Sequence, residues 1–204
     1  MEIIKKPLKI AAYSYITFLI LGFIATGLVF ESNLGFIPIT DFSLTSITLI
    51  FYIISFILSL FAVYGFIVLG KKFKNKFLII ITYIGIILLL IHLLYILFGG
   101  FFINIPEIST TGIFDKTGID NFTIFFLLAY FTYSIIFGLH AIFFGMALLK
   151  LGKKIRYSKT AGILNISAGA TMILSIGYFI MIVAIIMEIL LLFEASKKFE
   201  SKIK

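Results

Sequence analysis

Three ionisable side chains fall inside long apolar stretches of this sequence: His92, His140 and Glu188. Such groups are costly in hydrocarbon, so each is a candidate for function. The chemistry they offer is proton relay or the holding of a cation, provided they face one another across a helix bundle. His92 stands near the outer end of its stretch, and His140 nearer the middle of the next. Glu188 precedes Glu194 by six residues, about 9 Å along a helix, which sets it close to headgroup depth. The plainer reading makes each His an interhelical hydrogen-bond donor and leaves Glu188 hydrated at the interface.

The most polar intramembrane segment is 160–171, which contains Asn165. Ala161, Asn165 and Gly169 recur every four residues and so share one helix face, with Gly177 two turns further on. Small residues let helices approach closely, and Asn165 can hydrogen-bond across the contact. Ala141 and Gly145 are the counterpart on the preceding helix. A tight packing face is the favoured reading; the alternative is a substrate-lining or discontinuous helix. Ser158 and Thr160 are candidate N-caps for this segment.

Neither metal nor cofactor chemistry is expected. Two His on different helices lack the i, i+4 or Glu-x-x-His spacing of a metal site. The chain has no Cys, which removes disulfides, thiolate nucleophiles and iron–sulfur ligation. It has no Gly-x-Ser-x-Gly turn, no carboxylate pair within a span and no phosphate-cradling loop. An enzyme is therefore not expected. Asn121-Phe-Thr123 is a glycosylation triplet, but Asn165-Ile-Ser167 matches the same pattern inside a span, so the signal is unspecific.

The elements that must position these residues follow from composition. Of 204 residues, 62% are hydrophobic and 13% charged, with a mean hydropathy of +1.21. A soluble domain has roughly 45–50% apolar and about 25% charged residues. A water-soluble globule and a disordered chain are both excluded. The chain reads as a single integral membrane domain over 1–204. Apolar stretches run over 10–30, 44–70, 77–98, 122–149 and 161–193. Each of the first four is long enough to cross a core of about 30 Å as a helix. They are apolar on every face, so a transmembrane barrel is rejected. The first is too long for the core of a signal peptide, which is about 7–15 residues. The fold expected is thus all-α, a polytopic transmembrane bundle of five to six segments.

The fifth stretch decides the count. As one straight helix it would be about 50 Å long. Split near residues 175–178, it becomes a hairpin of two short segments of roughly 22–24 Å each. Charge favours the hairpin. The net charge is +8, from 17 Lys and Arg against 9 Asp and Glu, and the basic residues cluster at the start, at 71–76, at 150–159 and in the tail. Positive charge marks cytoplasmic loops. With six segments both termini are cytoplasmic and every basic residue except Lys116 lies inside. The acidic loops at 31–43 and 99–121 are then external. The basic excess is accounted for by orientation, so nucleic acid is not expected as a partner. The tetrapeptide Leu-Gly-Lys-Lys occurs at 69–72 and again at 151–154, which raises the question of a duplicated hairpin.

The pattern Lys159-Thr-Ala-Gly-Ile-Leu, Ala168-Gly-Ala, Ile176-Gly-Tyr and Ile189-Leu-Leu-Leu-Phe193 resembles the archaeal membrane family called domain of unknown function 996. The segment Gly70-Lys-Lys-Phe-Lys-Asn-Lys-Phe77 is compatible with that family's short polar loop after a helix. The resemblance implies an uncharacterised multi-pass membrane protein and transfers no functional residues.

The functional expectation is a structural or interaction component of the cell membrane. Its partners would be the lipid bilayer, anionic lipid headgroups at the basic cytoplasmic loops, and further copies of itself in a homo-oligomer. The alternative is a small-solute or ion transporter or channel with a site near Asn165, His140 and Glu188.

Overall fold

The computed structural model describes residues 2–33, 41–103 and 121–200, with side chains placed over 6–24, 50–94, 128 and 130–199 apart from 153. The loop readings at 34–40 and 104–120, the side chains of Asn121 and Thr123, and the tail at 201–204 lie outside the described residues. Every regular element among the described residues is a helix, the long ones being α1 (Glu2–Asn33), α2 (Asp41–Lys72), α3 (Lys76–Ile103), α4 (Asn121–Leu149), α5 (Ser158–Thr171) and α6 (Ile176–Glu200). Helices satisfy their own backbone groups, which is what hydrocarbon demands of a spanning segment.

Five of the helices are long and apolar enough to cross a membrane, with spans at Lys6–Ile24, Ile50–Lys72, Lys76–Leu94, Tyr130–Leu149 and Ile176–Phe199. α5 has 14 residues, about 21 Å, and falls short of a bilayer core. α1 starts before its apolar run and takes Pro7 into the helix. The proline deprives the Ile3 carbonyl of its i→i+4 donor, a local loss that the helix absorbs near its start.

The hairpin expected from the fifth stretch is present, but its arms are unequal. α5 gives way to a 3-10 turn at Met172–Leu174. Ser175 then adopts a left-handed backbone with φ of 63° and donates its N–H to the Met172 carbonyl at 3.0 Å. Two hydroxyl contacts from α4 hold this reversal: Tyr130 Oη lies 2.7 Å from Ser175 Oγ, and Ser134 Oγ lies 3.3 Å from Tyr178 Oη. The second arm is a full span rather than a short segment, because α6 carries its helix past Glu194 to end beside Lys197 and Lys198.

Each helix packs on its neighbours in the chain, and α1 closes onto α6, so the six form a ring. Alternating direction brings the start of α1, the α2–α3 and α4–α5 connections and the end of α6 to one end of the bundle. That end collects the Lys and Arg clusters. The main core lies toward it and includes Leu8, Ala11, Phe66, Leu69, Leu78, Leu148, Leu151, Leu191, Leu192 and Phe199. The outer faces carry Phe23 and Phe179, which are 62% and 73% exposed, as residues facing lipid tails must be.

Local chemistry makes the turns at the basic end. Asn75 accepts from the Leu78 N–H at 3.1 Å through Oδ1, capping α3, and donates through Nδ2 to the Ala147 carbonyl at 2.9 Å. One side chain thus starts α3 and ties it to α4. Ser158 is not an N-cap. It is the first residue of α5, and its hydroxyl donates to the Gly152 and Ile155 carbonyls at 2.6 and 2.9 Å. Tyr157, at φ of 70°, holds the cap position without a side-chain bond, so Thr160 lies inside the first turn. The two Leu-Gly-Lys-Lys copies also differ: Gly70 is helical within α2, whereas Gly152 opens a 3-10 turn at φ of 53°.

Candidate functional site

The small residues of α4 and α5 form a close antiparallel seam. A Cβ at Gly145 would come within 2.5 Å of the Gly162 carbonyl oxygen, and one at Gly162 within 2.8 Å of the Gly145 oxygen. Two turns along, a Cβ at Gly138 would come within 2.7 Å of the Gly169 oxygen, and one at Gly169 would collide with the Gly138 oxygen. The pairs are reciprocal and seven residues apart on both helices, as two antiparallel helices in backbone contact require. Gly145 and Gly169 were legible in the sequence; Gly138 and Gly162 complete the seam. Ala141 is buried on α4, and Ala161 is buried in the main core. Gly177 does not extend the α5 face. The chain has already reversed there, and a Cβ at Gly177 would strike the Ala168 carbonyl and the Met172 backbone.

The seam sets the depth of Asn165. Its Nδ2 donates to the Ala161 carbonyl at 2.9 Å and to Glu188 Oε1 at 2.7 Å. Asn165 and Glu188 are each 2% exposed. The Tyr15 side chain of α1 stands close to the same carboxyl, and its ring is edge-on to Phe66 at 6.2 Å. The expectation of a hydrated Glu188 is therefore corrected. Glu188 sits midway along α6, about 18 Å from either end. The helix does not end at Glu194, so Glu194 is no guide to the membrane edge. Both partners of the carboxyl are neutral.

His140 belongs elsewhere. Its Nε2 lies 3.0 Å from the Ile81 carbonyl oxygen on α3. The ring fills the notch over Gly85, where a Cβ would come within 2.8 Å of that nitrogen. It stacks on Phe144, with centroids 6.1 Å apart. His92 lies against Tyr133 and Phe137 of α4, with centroids 5.3 and 6.3 Å away. Its Nδ1 is buried without a hydrogen-bond partner. The structure thus brings Asn165 and Glu188 together on the α5–α6 seam and leaves both His on the α3–α4 seam. Tyr15 was missed because a lone Tyr in an apolar run carries no signal of what its hydroxyl meets. Asn75 was missed although an Asn just before an apolar run is an N-cap signal.

At the basic end an open depression of about 540 Å³ is lined by Leu149, Gly152, Ile155, Arg156, Tyr157 and Lys159. The Arg156 guanidinium stands 5.1 Å from the Tyr157 ring centroid, and Lys150 Nζ lies 4.4 Å from that of Phe77. In both contacts the cation lies over the face of an aromatic ring.

No family model matches the chain, and no curated protein or solved structure matches it. Its class follows from the fold alone: five apolar spans in an all-helical ring make it a multi-pass membrane protein whose surroundings are the lipid bilayer.

Proposed function

We propose that this protein is a non-enzymatic structural or interaction component of the cell membrane, with both termini cytoplasmic. The observation that carries the reading is how its intramembrane polar groups are used. His140 is engaged with the Ile81 carbonyl on one seam, and Asn165 with Glu188 on another. Polar groups used this way join helices, and the glycine pairs of α4 and α5 serve the same end. The concentration of Lys and Arg at one end of the ring supports the cytoplasmic orientation. The depression beside Arg156 and Lys159 has the charge and apolar lining for an anionic lipid headgroup and its first methylenes. The resemblance to the domain of unknown function 996 family fits here as well, since its Thr-Ala-Gly and Ala-Gly-Ala elements contain Gly162 and Gly169 of the seam.

One observation favours the transporter alternative: Glu188 is buried at mid-helix beside Asn165. The expected third member, His140, faces α3 instead. Reconstitution into vesicles containing a pH-sensitive dye separates the two readings. The structural reading predicts a proton leak equal to that of protein-free vesicles. A flux abolished by Glu188→Gln, with folding intact, would replace it with the transporter.

A further inference from the structure

A carboxyl group in the middle of a membrane helix needs its charge balanced, either by a cationic side chain or by an exchangeable cation. The groups facing Glu188 can be named helix by helix. α5 presents Asn165, whose amide nitrogen is 2.7 Å from Oε1. α1 presents Tyr15, among the described residues the one titratable side chain that interacts with the carboxyl. On α6 itself the charged residues are Glu194, Lys197 and Lys198, all toward the helix end, and Lys198 Nζ donates to the Lys154 carbonyl at 2.5 Å. Among the described residues no Lys, Arg or His is a partner of the Glu188 carboxyl. Neutral neighbours, the Asn165 amide first among them, orient the carboxyl and disperse charge without neutralising it.

From this geometry we propose that Glu188, framed by Asn165 and Tyr15, is an intramembrane binding site for one small monovalent cation, a proton or an alkali metal ion. The chemistry is the same for both: a positive charge taken up at the carboxylate oxygens, where α1, α5 and α6 meet. With the cation bound, the three helices share a neutral hydrogen-bonded knot. With it lost, a bare carboxylate lies in their seam. The proposal goes beyond the structural reading, because a bound cation can latch the hairpin to α1 without crossing the membrane.

The test uses the full chain in lipid nanodiscs, wild type and Glu188→Gln, which keeps the side-chain shape. Infrared spectra are recorded across a pH series in choline buffer, and thermal melting is followed on adding sodium or lithium to choline at fixed pH. If the occupant is a proton, wild type carries a protonated-carboxyl stretch that disappears at alkaline pH and is missing from Glu188→Gln. If it is an alkali ion, sodium or lithium raises the wild-type melting temperature and leaves that of Glu188→Gln unchanged. Should Glu188→Gln fail to fold, labelling of wild type with a lipophilic carbodiimide provides the second reading. Labelling at Glu188 that falls with rising pH, or that added sodium or lithium blocks, supports the site. Spectra and melting that respond identically in both proteins overturn it. In the fallback, labelling indifferent to both pH and alkali ions, or no labelling, does the same. These readouts do not depend on flux, so the site and the structural reading succeed or fail separately.

Discussion

Asn165, on a helix too short to cross a bilayer, donates its amide to Glu188 Oε1 at 2.7 Å, midway along a helix that does cross. This contact gives α5 its place. A 14-residue helix gains little from propensity alone. It is held on one side by backbone contact with α4 and on the other by a side-chain bond to α6. The ring closes through that pair of seams, because α6 then meets α1.

Gly169→Leu should disrupt assembly far more than Ile173→Leu. Bulk at Gly169 meets the backbone of Gly138 and Ile142, and overpacking of this kind costs about 1–3 kcal/mol or more. Ile173 is 45% exposed on the reversal, and its change should stay within about 0.5 kcal/mol. Purified yield and melting temperature in one detergent check both. Equal values for the two variants would count against the seam.

The spans were legible because hydrophobicity is an additive property of a stretch, and the hairpin because charge parity demanded a return. The partner of each polar group was not. His140 bonds a backbone carbonyl, and every residue has one, so nothing in the sequence singles out Ile81. The face read through Ala161, Asn165 and Gly169 follows the four-residue period, whereas the antiparallel contact selects Gly162 and Gly169 at seven. Both rows lie on nearly the same side of the helix, and only the position of α4 decides between them. Glu188 lies deeper than the sequence suggests, because Glu194 is no membrane edge and the helix runs on to Glu200.

His140→Phe keeps an aromatic ring against Phe144 and removes the bond to Ile81. A loss of about 0.6–2 kcal/mol is expected, the range for interhelical hydrogen bonds in membranes. Gly85→Ala should also destabilise, since its Cβ would press on the His140 ring. The same change should be nearly harmless once His140 is alanine. Melting of the two singles and the double mutant measures this, and strict additivity would place the ring elsewhere.

Asn75→Ala removes the α3 cap and the bond to Ala147 together. A cost of about 1–2 kcal/mol is expected from the cap alone. Asn75→Asp retains the cap acceptor and loses the donor, so it should fall between alanine and wild type in a thermal melt.

Orientation has its own test, and the absence of native Cys makes it clean. A single Cys at Leu174, beside the reversal, should react with an impermeant thiol reagent applied outside intact cells. A single Cys at Lys198 should react only after the membrane is opened. The opposite pattern would invert the protein, and reaction of both from outside would break the hairpin.

The contact between Asn165 and Glu188 is the claim on which the rest depends, and a double-mutant cycle tests it directly. Asn165→Ala, Glu188→Ala and the double variant are melted reversibly in one detergent. Residues in direct hydrogen-bond contact couple by about 0.5–3 kcal/mol. The structure predicts that the second substitution costs clearly less once the first has been made. Costs that add within about 0.3–0.5 kcal/mol would mean that the two side chains do not meet.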